Sequence, residues 1–184
     1  MTFKPQHFPE HLYFITGSLL GWRPLLISYA YAMIVLNSLN WHRQHRRFHL
    51  YSYSVMPTHF HTIIKPVGAH TISMNLQSFG SFTAHAILHQ LQVDKLTAEL
   101  DFFAENREPD RTEQHQVWQP MQAKNIYTPA LLCEKLEYIH NNPIAKKWQL
   151  AERRDEYAYS SACFYDRGVE PIIAVDDVRQ WLAG

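Results

Sequence analysis

A chain of 184 residues with 46% hydrophobic and 18% charged side chains can bury one sizeable core, and its composition excludes a disordered or collagen-like protein. Basic and acidic residues balance at 17 each, which argues against coating duplex DNA by bulk charge and leaves only local basic patches for a nucleic acid. Two cysteines thirty positions apart, Cys133 and Cys163, make neither a disulfide framework nor a zinc knuckle and fit free thiols in a reducing compartment.

The opening stretch MTFKPQHFPEHLYF is polar and proline-punctuated, with no secretory signal. His11 to Leu19, rich in aromatic and β-branched residues, predicts a first strand. The most apolar run, Pro24 to Leu36, is too short to span a bilayer. A soluble, cytoplasmic protein without membrane partners is the expectation. That run opens a predicted helix over Pro24 to Trp41, with proline in its first turn. The helix ends in the basic cluster HRQHRR, either a solvated end favoured by the helix dipole or a phosphate contact.

Phe48 to Met56 and His59 to Pro66 predict two strands, and Pro57-Thr58 between them predicts a hairpin. Alternation puts His59, His61, Ile63 and Lys65 on one face of the second strand and Phe60, Thr62 and Ile64 on the other. Thr71 to Leu91 has helical spacing weakened by Gly80, and Leu96 to Ala104 predicts a further helix. Glu105 to Gln116 is a charged surface loop, and VWQPM after it reads as a short strand or a turn. The clearest helix runs from Thr128, a good N-cap followed by Pro129, to Pro143, which biases Asn142 away from the α region. Val169 to Gly184 reads as a short strand and a short C-terminal helix.

On the Thr128–Pro143 helix, Leu132, Leu136 and Ile139 form the apolar stripe. Tyr138 and Asn142, four apart, lie one above the other about a quarter turn away, on the side shared by Lys135 and Leu131. Taken singly, these residues are ambiguous. A His-x-His on a strand is either incidental or half of a metal clamp, a tyrosine on a helix flank is usually packing, and an asparagine near a proline usually ends a helix.

Together they carry more. VMPTHFH, followed by YIHNNP with Tyr138 placed 77 positions after His61, resembles the HUH tyrosine transposases, and within them the REP-associated tyrosine transposases. HLYFITGSLLGWRPLL, LQSFGSFTAHAI, VWQ and EYAYSSACFY are similar to further segments of that family, so the likeness covers most of the chain. It implies an α+β, ferredoxin-like HUH nuclease fold, an antiparallel sheet of four or five strands with packed helices. Residues 1–165 would form the nuclease domain and 166–184 a C-terminal extension packed on it.

The resemblance further implies that Tyr138 is the nucleophile and that His59, His61 and Asn142 hold Mg²⁺ or Mn²⁺. Its substrate would be single-stranded DNA with hairpin structure, cut and rejoined through a 5′-phosphotyrosine, by a monomer or a homodimer. Arg43, Arg46, Arg47, Lys146, Lys147, Arg153 and Arg154 would then contact the DNA backbone, with Trp148, Tyr157 and Tyr159 stacking on bases. Two positions depart from the family's pattern. Thr58 stands where Asn or Asp usually precedes the first histidine, and Gly80 stands where a Lys is common. The first bears on the turn that aims the histidines, the second on a contact to DNA or to the active site. Two other readings compete: a domesticated relative that binds hairpins without cutting, and a metal hydrolase of unrelated chemistry, which would need an acidic ligand or base that no Asp or Glu beside the motif supplies.

Overall fold

The structure, a computed structural model, describes residues 8, 10–110 and 112–182. Residues 1–7, where the absence of a secretory signal is read, and residues 183–184, at the end of the expected C-terminal helix, lie outside the described residues. Four strands, β1 (Leu12–Ser18), β2 (Phe48–Met56), β3 (His59–Pro66) and β4 (Gln122–Ile126), form one antiparallel sheet in the order β2-β3-β1-β4. With α1 (Tyr29–Gln44) after β1 and α2 (Ile72–Val93) after β3, this is the ferredoxin-like β-α-β-β-α-β succession. The remaining helices are α3 (Thr97–Glu105), α4 (Pro129–Asn141), α5 (Ala162–Arg167) and α6 (Arg179–Leu182).

The sheet is covered on both faces. Tyr13, Ile15, Leu50, Tyr53, Val55, Phe60 and Ile64 pack in the larger core with Val35 and Leu36 of α1 and Phe79 and Ile87 of α2. Leu12, Phe14, Ile63 and Ile126 point the other way and pack with Leu132 and Ile139 of α4 and Val178. The stripe expected on α4 is therefore the seam that fixes this helix over the sheet. Leu50 shares its face with Tyr53 and Val55 because the register shifts between Leu50 and Ser52, a bulge that restores the inward set after one extra residue.

Several boundaries differ from the sequence reading. The residues from Pro24 to Ile27 make a tight turn rather than α-helix, and α1 begins at Tyr29. Leu26 N–H donates to the Pro57 carbonyl at 2.9 Å, so this segment is committed to the β2–β3 turn. β4 lies beyond VWQPM. Its residues QAKNI are poor strand formers on an edge, with alternate residues in solvent, so neither hydrophobic run nor β-propensity marks them. The segment after Val169 contains no strand among the described residues. It is tied to the bulged part of β2, where Asp176 N–H donates to the Leu50 carbonyl at 2.6 Å and its carboxylate accepts from Leu50 N–H at 2.9 Å. Ile173 and Val175 are buried in the larger core and Val178 in the smaller.

Asn142 is in the α region (φ −56°, ψ −45°) despite Pro143, and the chain continues as a 3₁₀ turn over Asn142–Ile144. The bias against α before proline yields here because Asn142 N–H still closes the last helical bond, to the Tyr138 carbonyl.

Gly80 lies on α2 and lines a cleft with Met121, on the face of the sheet away from α4. A Cβ there would meet only Met121 Cε at 3.5 Å, an ordinary contact with a flexible side chain. Gly80→Ala is thus expected to stabilise the fold by about 1 kcal/mol through helix propensity, raising the melting temperature by about 2–4 °C in a thermal scan.

Candidate active site

β1, β3, β4 and α4 enclose a cleft of about 660 Å³ whose lining includes His59, His61, Tyr138 and Asn142. The hairpin puts both histidines near the end of the sheet marked by the β2–β3 turn, where Met56 pairs with His59. Phe60 between them points to the opposite face. It lies over Gly17, where a Cβ would come within 2.3 Å of its ring, and packs on Phe79 and Trp118 with centroids at 5.1 and 5.6 Å. The bulky residue of His-Phe-His thereby locks the strand from behind and fixes which way the imidazoles face.

The Pro57-Thr58 turn is held by two backbone donors, Leu26 N–H to the Pro57 carbonyl and Leu19 N–H to the Thr58 carbonyl, both at 2.9 Å. Thr58 Oγ1 lies 3.0 Å from His59 Nδ1, and Thr16 Oγ1, across the β1–β3 ladder, lies 2.9 Å from His61 Nδ1. A hydroxyl that accepts from Nδ1–H leaves the imidazole lone pair on Nε2. His61 Nε2 is buried and has no hydrogen-bond partner among the described residues. A buried polar atom without a partner is costly unless a ligand completes it.

Burial holds the His59 imidazole down to about 4, with the Lys147 charge adding to the effect. Burial also holds His61 down to about 3, with His59 adding to it. Both rings are neutral at pH 7 and have a lone pair available for a metal or a proton. Among the described residues no group of three or more His, Cys, Asp or Glu is placed to hold an ion, and the amides of Asn142, Gln119 and Gln122 line the cleft with the two histidines. Two imidazole nitrogens and a carbonyl oxygen form a donor set that suits Mn²⁺ and is acceptable to Mg²⁺.

Tyr138 stands over this pair. Its ring is T-shaped to His61 at 5.1 Å and to Phe14 at 5.8 Å, and the residue is 50% exposed. The tyrosine and both histidines that meet here belong to one chain. Lys124, Lys135 and Lys147 line the same cleft, and among the described residues no Asp or Glu does. Lys135 is paired outside the lining with Glu134 at 2.7 Å, so Lys124 and Lys147 are the cations that leave the cleft, with its neutral histidines, favourable to an anion.

The other expected contacts are distributed unevenly. Lys147 and Trp148 line the cleft, with Lys147 Nζ 4.9 Å from the Trp148 ring centre. Lys146 is exposed beside them. Arg153 pairs with Asp155 and Glu156, and Arg154 with Glu137 and Asp166. Tyr157 is tied through its hydroxyl to the Val55 carbonyl at 2.7 Å, and Tyr159 packs against the larger core. Arg43, Arg46 and Arg47 sit at the far end of the sheet, next to the Phe48–Pro66 pairing, where Arg43 is bound to Asp176. Sequence reasoning missed Trp22 and Lys124, which carry no periodic signal; it placed Lys135 on the side of the helix that holds Tyr138, where the cleft is, but gave it no role.

If the Thr58 hydroxyl aims His59, Thr58→Val keeps the shape of a buried side chain and removes only that contact. A loss of about 10- to 100-fold in Mn²⁺ affinity is expected by calorimetric titration, with an unchanged circular dichroism spectrum.

No protein-family model and no curated protein matches the chain. Among solved structures it is similar to a REP-associated tyrosine transposase bound to a REP hairpin, at a TM-score of 0.65 and 19% identity over 97% of this chain and 93% of that one. A looser likeness, at a TM-score of 0.44 and 14% identity, covers 76% of this chain and 97% of a Deinococcus radiodurans protein described as a "putative transposase". The α+β fold with its four-stranded antiparallel sheet is the fold of the first of these structures.

Proposed function

We propose that this chain is an HUH tyrosine transposase of the REP-associated kind, a single-strand DNA endonuclease and strand-transferase whose nucleophile is Tyr138. The observation that carries the reading is the meeting of Tyr138 and His61, at 5.1 Å, in a cleft lined by three lysines and, among the described residues, by no Asp or Glu. The fold shared with a transposase that binds a REP hairpin supports a hairpin-bearing single strand as substrate. A cytoplasmic setting follows from that substrate, and no helix among the described residues is long and apolar enough to cross a membrane.

In this reading His59, His61 and Asn142 would hold Mg²⁺ or Mn²⁺, which when bound draws charge from the scissile phosphate and stabilises its transition state. Lys124, Lys135 and Lys147 hold the flanking phosphates and set the register of the strand. The Tyr138 phenol oxygen forms a bond to phosphorus as the bond to the 3′-oxygen breaks. The phenolic proton passes to water and the departing 3′-oxygen takes one up. The tyrosine then carries a 5′-phosphate ester, and the stored bond lets a second 3′-hydroxyl reverse the step with a new end. Of the monomer and the homodimer, the meeting of the tyrosine and the histidines within one chain supports the monomer as the cutting unit. Arg43, Arg46 and Arg47 have no part in the proposed cutting site.

The test is incubation with a single-stranded hairpin labelled downstream of the cut, in the presence of Mn²⁺, followed by a denaturing protein gel. Label that migrates with the protein is the expected result. Retention of DNA under native conditions with no covalent label would instead mark a relative that holds hairpins without cutting.

A further inference from the structure

Trp22 lies in the segment HLYFITGSLLGWRPLL but has no role in the constellation above, and its placement is unusual. Its backbone is left-handed (φ +56°), a region disfavoured for residues with a Cβ, and the residue is 54% exposed. The loop around it is held from both sides by α3. Gly21, also left-handed at φ +62°, lies so close to Phe102 that a Cβ would come within 2.4 Å of its ring. Arg23 donates through Nε to Glu99 at 2.8 Å and lies over the Phe102 ring at 5.0 Å. A large apolar ring is thus kept out of the core on a strained, tethered loop. It lines the cleft and meets the His59 ring edge-on at 6.0 Å. Trp148, from the turn after α4, meets the same imidazole at 5.6 Å. Two indoles therefore meet His59 in the cleft that Lys124, Lys135 and Lys147 also line.

We propose that Trp22, with Trp148, forms a stacking platform for unpaired nucleobases beside the phosphate held in the cleft. This rests on the DNA reading above and adds the element that would favour a single strand over a duplex. Bases in a duplex already stack on each other, whereas unpaired bases present free faces to an indole. Lysines bind the sugar-phosphate chain with or without bases, so the two contributions can be separated by removing the bases.

The experiment measures binding, without divalent cation, of a labelled oligothymidylate of about 20 nucleotides, long enough for the usual site size, and of an abasic deoxyribose-phosphate oligomer of equal length. Trp22→Gly is expected to weaken thymidylate binding about 5- to 100-fold and to leave the abasic oligomer unchanged. Its melting temperature should not fall, because glycine suits the left-handed backbone. Trp22→Phe should restore part of the loss. Equal loss on both oligomers, or no loss on either, overturns the stacking role while leaving the DNA reading intact. Wild-type protein that binds neither oligomer overturns the stacking role, and wild-type protein that also fails to bind a single-stranded hairpin overturns both.

Discussion

Replacing Tyr138 by phenylalanine is expected to abolish the covalent protein–DNA adduct and to lower cleavage by at least about 10⁴-fold, the order of loss when a nucleophile is removed. The fold should hardly respond. Tyr138 is half exposed, and the phenylalanine ring can keep the edge contacts with His61 and Phe14. A stability change within about 0.5 kcal/mol is expected for such a site. DNA binding through Lys124, Lys135 and Lys147 should also persist, since none of these depends on the hydroxyl. Native gel shift, denaturing gel and thermal scan on the same preparation separate the three quantities. Persistence of metal-dependent cutting in the phenylalanine variant would remove the tyrosine from the mechanism and favour hydrolysis by water.

His61→Ala is expected to have the next largest effect. The ring is 3% exposed, anchored by Thr16 at Nδ1, and its Nε2 is one of five buried side-chain atoms without a hydrogen-bond partner among the described residues. Removing it takes away one of two imidazole ligands. A bound cation is worth several kcal/mol at a phosphoryl transition state, and about 4 kcal/mol corresponds to about 10³-fold in rate. The variant should therefore lose about 10³-fold or more in cleavage and should no longer respond to Mn²⁺ up to concentrations that saturate the wild type. Packing against Phe14 and Tyr138 is lost as well, but so is an unsatisfied buried nitrogen, so the stability cost should stay near 1–2 kcal/mol. Unchanged Mn²⁺ dependence in this variant would exclude His61 as a ligand.

The parts of this site that could be read from sequence are those governed by short-range periodicity. Alternation placed His59 and His61 on one face, and the structure has both lining the cleft. Helical spacing put Tyr138 and Asn142 one above the other, beside the Leu132 and Ile139 stripe that is indeed buried. The N-cap Thr128 accepts from Leu131 N–H as its side chain suggests. Contacts between distant segments were not legible. Nothing local in QAKNI announces an edge strand that carries Lys124 into the cleft. Nor does GWR announce a left-handed loop pinned by residues some 80 positions later, at Glu99 and Phe102. The basic cluster after α1 has the right composition for phosphate, but the sheet register puts it at the opposite end from the histidines. Thr58 departs from the family's pattern without leaving the turn loose, since its hydroxyl meets His59 and its carbonyl accepts from Leu19.

The central claim is that Tyr138, above His59 and His61 of its own chain, takes the 5′-phosphate of a cut strand. Peptide mapping by mass spectrometry of protein incubated with single-stranded hairpin DNA and Mn²⁺, after nuclease trimming, tests it most directly. The expected result is a nucleotide 5′-phosphate on the peptide containing Tyr138 and on no other. An adduct on a different residue, or cut DNA with 5′-phosphates and no modified peptide, would contradict it.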